Sequence, residues 1–243
     1  MSIYFKFKDL FELKLTVQNS KFKDIHKGKT CFILGTGSSL NDFDFTLIKN
    51  EIIFGSNFLP FHKDFKKLNL DYYFSVDKIQ NMYRLDKDSI PFKTIIKNKT
   101  EFYPYLDTTK KRFRFSVNPN LFFCEIERRL PKSTQVFLNT SSNKFLKSRN
   151  LLKKHKLNFV NGKQSILSNK KQENDISKRI TFLDGSLFTM IATAIYMGFK
   201  KIVLVGTDFA LYPQLQYHFY DSPIFDKSIE KLDFESCLSD LCK

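Results

Sequence analysis

The chain has 243 residues, 42% hydrophobic and 16% aromatic, with 28 Phe and no Trp, which is enough apolar material for the full core of one large α/β domain. Its net charge is +15, but only 7 of the 40 basic residues are Arg; nucleic-acid readers lean on Arg for bidentate contacts, so that class is set aside, and the Lys excess reads as a solvated surface or one facing an anionic membrane or phosphate-rich substrate. Cys31, Cys124, Cys237 and Cys242 fall in neither zinc nor C-x-x-C spacing, no apolar run reaches membrane-spanning length, and Asp9 and Glu12 come too early for an export signal; a disulfide scaffold is excluded and a cytoplasmic setting expected.

Residues 1–28 form an amphipathic leader in which Ile3, Phe7, Leu10, Phe11 and Leu13 trace a rough helical stripe. Such a stripe either touches a membrane surface or packs on the domain, and packing is the preferred reading. The first strand spans 30–34. It runs into Gly35-Thr36-Gly37-Ser38-Ser39, a glycine turn whose N–H groups can approach a phosphate closely, with a helix expected near 39–48 behind it. On this reading a side chain at Gly37 harms ligand binding far more than stability. Leu40 stands where a dinucleotide fingerprint has its third glycine, and the absence of a following Lys excludes a P-loop.

The second strand, 51–56, delivers Asn57. A dinucleotide site wants Asp or Glu about 20 residues after the glycines, so Asn57 argues against NAD and for a mononucleotide or nucleotide-sugar; an Asn in this place can equally be a turn former. A third strand, 71–76, ends at Asp77, and further strands are expected at 93–97 and 134–138. Residues 98–133 are poorly periodic and 143–176 are rich in Lys, Asn and Ser, so 98–176 reads as a variable excursion or lid.

Order returns at Arg179-Ile180-Thr181, where Arg179 is suited to clamp a phosphate or carboxylate beside Thr181 and Ser186. Asp184 or Ser186 caps a helix to about Met197, Gly198 ends it, and the apolar strand 201–206 brings Thr207 and Asp208 to the same edge as Gly35 and Asn57. Beyond it lie Tyr212, Tyr217, His218, Tyr220 and Asp221; His218 could act as a general base, with Tyr217 or Tyr220 hydrogen-bonding a departing phosphate. A final helix is expected over 225–242. The alternation of strands and helices predicts a Rossmann-like, mostly parallel sheet with helices on both faces, residues 29–243 forming one nucleotide-binding domain.

The blocks C-F-I-L-G-T-G-S-S-L, F-G-S-N, D-Y-Y-F-S-V-D, K-R-I-T…D-G-S…A-I-Y-M-G-F-K-K-I-V-L-V-G-T-D-F and H-F-Y-D together resemble a superfamily. It includes the bacterial sialyltransferases of glycosyltransferase family 42, the motility-accessory-factor proteins and the 6-hydroxymethylpterin diphosphokinase-like domain. The resemblance covers roughly residues 30–77 and 178–221. It implies a metal-independent transferase moving a nonulosonic acid from a CMP-sugar to a cell-surface glycan, with no cofactor and no nucleic-acid partner. On that resemblance nucleotide contacts fall on Gly35, Gly37, Ser39 and Asn57 and donor contacts on Arg179, Ile180 and Thr181, with Asp77 standing near a second Asn of the family; the residue reading adds Ser38, Ser186 and Asp208 as candidate nucleotide or donor contacts. Phe182 replaces a Ser of the family's Arg-Ile-Thr-Ser segment. Leaving-group tyrosines fall near Tyr212 and on Tyr217 or His218. The family's catalytic His lies farther downstream, so His218 substitutes for it or that base is missing. H-F-Y-D is closer to the diphosphokinase-like branch, which implies ATP with Mg²⁺ held by Asp77, Asp208 and Asp221. A nucleotide-binding module without catalysis is the third alternative.

Overall fold

The structure is a computed structural model and describes residues 3–77, 105–107, 112–114, 119–164, 174–182 and 185–208. The expected strand at 93–97 and helix at 225–242 lie outside those residues.

Apolar runs with bulky and β-branched residues become strands where both faces are covered. β1 (Thr30–Leu34), β2 (Ile52–Ser56), β3 (Tyr72–Ser75), β6 (Gln135–Asn139), β7 (Lys156–Gln164), β8 (Arg179–Phe182) and β9 (Lys201–Val205) form one seven-stranded sheet in the order β8-β7-β6-β3-β2-β1-β9. Every pairing in it is parallel. β4 (Tyr105–Asp107) and β5 (Arg112–Arg114) make a small antiparallel pair of their own. The chain therefore steps outward from β1 to β8, then returns to lay β9 against the other side of β1. This is the α/β, Rossmann-like architecture expected from the sequence.

Strand alternation sends side chains to two cores. Cys31, Ile33, Phe54, Phe74 and Phe137 join Phe22 and α4 (Ser186–Tyr196) on one face; Leu34, Ile53, Tyr73, Val136 and Leu138 join α2 (Pro119–Arg129) and α3 (Ser142–Arg149) on the other. Aromatic rings ladder across the first face, with Phe74 stacked on Phe54 at 5.6 Å and on Phe137 at 4.8 Å between centroids.

Two expectations are corrected. The single helix near 39–48 is instead a pair of 3₁₀ helices, Ser38–Asp42 and Phe45–Ile48, broken where the Asp44 carboxylate accepts the Thr46 N–H at 2.9 Å and caps the second. The segment 143–176 is no lid over its described part, because α3 and β7 belong to the main fold and β7 pairs on both sides. Its polar character is absorbed by hydrogen bonds: buried Asn158 donates to Gln135 and Asn161 to Glu12.

The leader folds as α1 (Ile3–Thr16) followed by a 3₁₀ turn, Val17–Phe22, and packs against β7. Among the described residues no helix is long and apolar enough to cross a membrane.

Candidate functional site

Because β9 returns beside β1, the direction of strand addition reverses between them. In open parallel sheets the crevice outside the carboxyl ends at such a reversal is where ligands bind. A cleft of about 240 Å³ opens there, bounded by Gly35, Thr36 and Gly37 after β1, Ser56 and Asn57 after β2, the start of α4, and Gly206, Thr207 and Asp208 after β9.

The glycine turn has a reason internal to the chain. Gly35 N–H donates to the Val205 carbonyl and Gly37 N–H to the Gly206 carbonyl, each at 2.8 Å, so the turns after β1 and β9 lie flush. A Cβ on Gly35 would come within 2.9 Å of the Gly206 carbonyl carbon; one on Gly37 would stand 2.8 Å from the Gly206 oxygen and 2.5 Å from Cγ of Asp208. Gly37 itself has an ordinary extended backbone (φ −68°, ψ 158°), so close approach, not a left-handed conformation, requires glycine. Leu40 also finds its explanation. It is fully buried against Gly206 (φ 66°), where any Cβ would strike the leucine side chain. The close-packing glycine that the fingerprint puts at position 40 is supplied instead by Gly206, directly after β9.

The Ser39 N–H that a phosphate would take is already occupied. Asp208 Oδ2 accepts it at 2.9 Å, Asp208 Oδ1 accepts the Ser39 hydroxyl, and the Ser38 hydroxyl donates to Oδ2 at 3.4 Å. The glycine turn thus holds a carboxylate of the same chain, which repels anions and accepts hydroxyl donors.

Asn57 is built into its position. Its φ of 49° lies in the left-handed region that Asn tolerates better than most residues. Its N–H donates to the Phe74 carbonyl at 3.0 Å, and its carbonyl accepts the Tyr73 hydroxyl at 2.7 Å. Burial holds the Tyr73 phenol well above its ordinary value, so that hydroxyl stays a donor. The Ser186 hydroxyl donates to Asn57 Oδ1 at 3.2 Å, leaving the two amide hydrogens of Asn57 for the cleft.

Ser186 is thereby the first residue of α4 and not its cap. Gly185, at φ 104° and ψ 166°, occupies the cap position with no side-chain hydrogen bond; Asp184 lies outside the described residues. The opening turn of α4, Ser186 to Phe188, faces the cleft with its unpaired-type backbone donors and the positive end of the helix.

Of the residues singled out from sequence, the fold gathers Gly35, Gly37, Asn57, Ser186 and Asp208 around one cleft, with Ser38 and Ser39 bound to Asp208. Asp77 is exposed at the end of β3 and does not line it. Arg179 opens the edge strand β8, and its guanidinium lies 3.9 Å from Glu12 of α1; Arg179 is outside the cleft lining, and the side chain of Thr181 is not among those described. Tyr212, Tyr217, His218 and Asp221 lie outside the described residues. Among the described residues no three potential ligands group to hold a metal ion. Sequence reasoning missed Gly206 and Tyr73. Gly206 was signalled by its place directly after an apolar strand; nothing local to Tyr73 marks it as the support of Asn57.

A scan against protein-family models, a search of curated proteins and a search of solved structures each find no match to this chain.

Proposed function

We propose that the chain is a glycosyltransferase that transfers a nonulosonic acid or related sugar from a CMP-sugar to a cell-surface glycan. The observation that carries this reading is the cleft at the β1–β9 reversal, where a helix start, an amide and a carboxylate converge. In this reading the nucleotide phosphate lies against the first turn of α4, whose N–H groups and dipole favour an anion. The Asn57 amide donates to the nucleotide, and Asp208 accepts a ribose or sugar hydroxyl. Transfer breaks the bond between the anomeric carbon and the phosphate oxygen and forms one to the acceptor oxygen. The acceptor proton passes to a base, assigned from sequence to His218, while Tyr212 and Tyr217 donate to the departing phosphate.

The test is a thermal-shift screen with CMP, CDP, UDP, GDP and ATP, with and without Mg²⁺, followed by turnover with CMP-sugars. A ligand at 100 times its Kd adds about 2.7 kcal/mol of stability. The reading expects CMP to stabilise without Mg²⁺ and His218→Ala to slow turnover roughly 10²- to 10⁴-fold. Stabilisation by ATP only with Mg²⁺ would replace it with diphosphate transfer. CMP binding with no turnover on any CMP-sugar would leave a nucleotide-binding module.

A further inference from the structure

The leader helix is inside out. Glu12 and Thr16 of α1 and Asn19 of the following 3₁₀ turn are buried, and each is bonded to the domain, while Lys14 stays exposed. Glu12 accepts from Asn161 Nδ2 at 2.9 Å and faces Arg179; the Thr16 hydroxyl donates to the Ser177 carbonyl at 3.0 Å; Asn19 Nδ2 donates to the carbonyls of Phe159 at 2.7 Å and Ile176 at 3.0 Å. The opposite face is apolar and turned to solvent, with Leu10 62%, Phe11 51%, Leu13 49% and Val17 54% exposed. Ile3 and Phe7 continue that stripe in the sequence. A helix held on its domain only by hydrophobic burial shows the reverse pattern. Here specific hydrogen bonds fix the polar side inward and leave an apolar stripe outward, of the kind that marks an interaction surface.

The charges around that face identify what covers it. From residue 10 to 24 Lys14, Lys21 and Lys23 are exposed against one exposed acid, Asp24, while Glu12 is turned inward. Lys21 reaches over the Phe22 ring, 4.9 Å from its centroid. The whole chain carries +15, so a second copy would bring like charge to the same place, whereas an anionic bilayer brings the opposite charge together with an apolar layer. We infer that the outward face of α1 and the following 3₁₀ turn is a docking surface for an anionic lipid bilayer. Leu10, Phe11, Leu13 and Val17 enter the interface and the lysines lie at headgroup level. The inference is independent of what the cleft binds.

Flotation of the full chain with phosphatidylglycerol–phosphatidylcholine vesicles, against pure phosphatidylcholine, tests it. The chain should float with the anionic vesicles, and binding should weaken as salt rises. Lys14→Gln with Lys21→Gln should weaken binding about 30-fold, from about 1 kcal/mol per lysine near the surface. Leu10→Ser, Phe11→Ser and Leu13→Ser together should weaken it about 100-fold or more, with the unfolding midpoint kept because these side chains already face water. Equal binding to neutral vesicles, no binding to either, or self-association lost in the triple variant without vesicle binding would each overturn the inference.

Discussion

Replacing Gly37 with Ala separates a turn shaped by its own chain from one shaped by a ligand. The added Cβ would meet the Gly206 carbonyl oxygen at 2.8 Å and Cγ of Asp208 at 2.5 Å, where ordinary contact begins near 3.4 Å. The carbonyl cannot swing aside, because it accepts the Gly37 N–H itself at 2.8 Å. The Asp208 side chain can move, but only by releasing the Ser39 N–H. Overpacking of this kind costs about 1–3 kcal/mol, and a hydrogen bond to a charged group is worth about 1.5–3, discounted here because Ser39 is exposed. Gly37→Ala should therefore lower stability by roughly 2–5 kcal/mol, a large part of the roughly 5–15 available to a domain. Urea unfolding with an unchanged m-value measures it. Asp208→Ala removes one of the two obstacles, so the double variant should lose less than the sum of the singles, by about 1–2 kcal/mol. A loss below about 1 kcal/mol in Gly37→Ala, with no coupling to Asp208, would refute the packing argument and restore the glycine to a ligand's use.

Asn57→Ala should cost about 1–2 kcal/mol of stability, since Ala fits the left-handed backbone poorly, and should weaken nucleotide binding about 10- to 100-fold. Asn57→Gly should recover the stability and not the affinity, and unchanged affinity by titration calorimetry would remove Asn57 from the site. Arg179→Ala should leave nucleotide affinity intact and cost under about 1 kcal/mol, because Arg179 lies on β8, at the edge of the sheet opposite β9, and its side chain is exposed; a tenfold affinity loss would make it a donor contact after all. Burial raises Tyr72 and Cys31 each to about 12, from ordinary values of 10.0 and 9.0. The unfolded chain therefore loses these protons first, and stability, fully present below about pH 9, should fall as pH rises to 12. Tyr72→Phe should remove about 2–3 kcal/mol of the loss at pH 12, and an identical alkaline limb in that variant would show the titration lies elsewhere.

The parts of the fold legible in the sequence are those where one signal acts alone. β1, β2, β3, β6 and β9 are apolar runs closed by small or polar residues, and α4 has a continuous apolar stripe that stops before Gly198. β7 was obscured because K-L-N-F-V-N-G-K-Q places Asn158 and Asn161 where a buried strand would have apolar groups, and their partners, Gln135 and Glu12, are remote in sequence. The helix expected at 39–48 failed because the local Asp44–Thr46 bond competes with helical pairing, a choice that propensity alone does not resolve. At the site, Asn57 and Asp208 were visible as polar residues at strand ends. That Asp208 would fill the glycine turn, and that Arg179 would be taken by the leader helix, are contacts between distant segments that no local pattern encodes.

The lateness of β9 also bears on how the chain comes into being. β1 needs β9 along its full length, from Thr30 beside Lys201 to Leu34 beside Val205, and Ser39 and Asp208 meet across 169 positions. During synthesis at about 5–20 residues per second, β1, β2 and β3 emerge well before β9, leaving one long edge of β1 open for roughly ten seconds or more. An open parallel edge flanked by apolar side chains is a template for pairing with other nascent chains. The same late strand that closes this edge also completes the cleft, so a product truncated before β9 lacks Gly206, Thr207 and Asp208 from its lining.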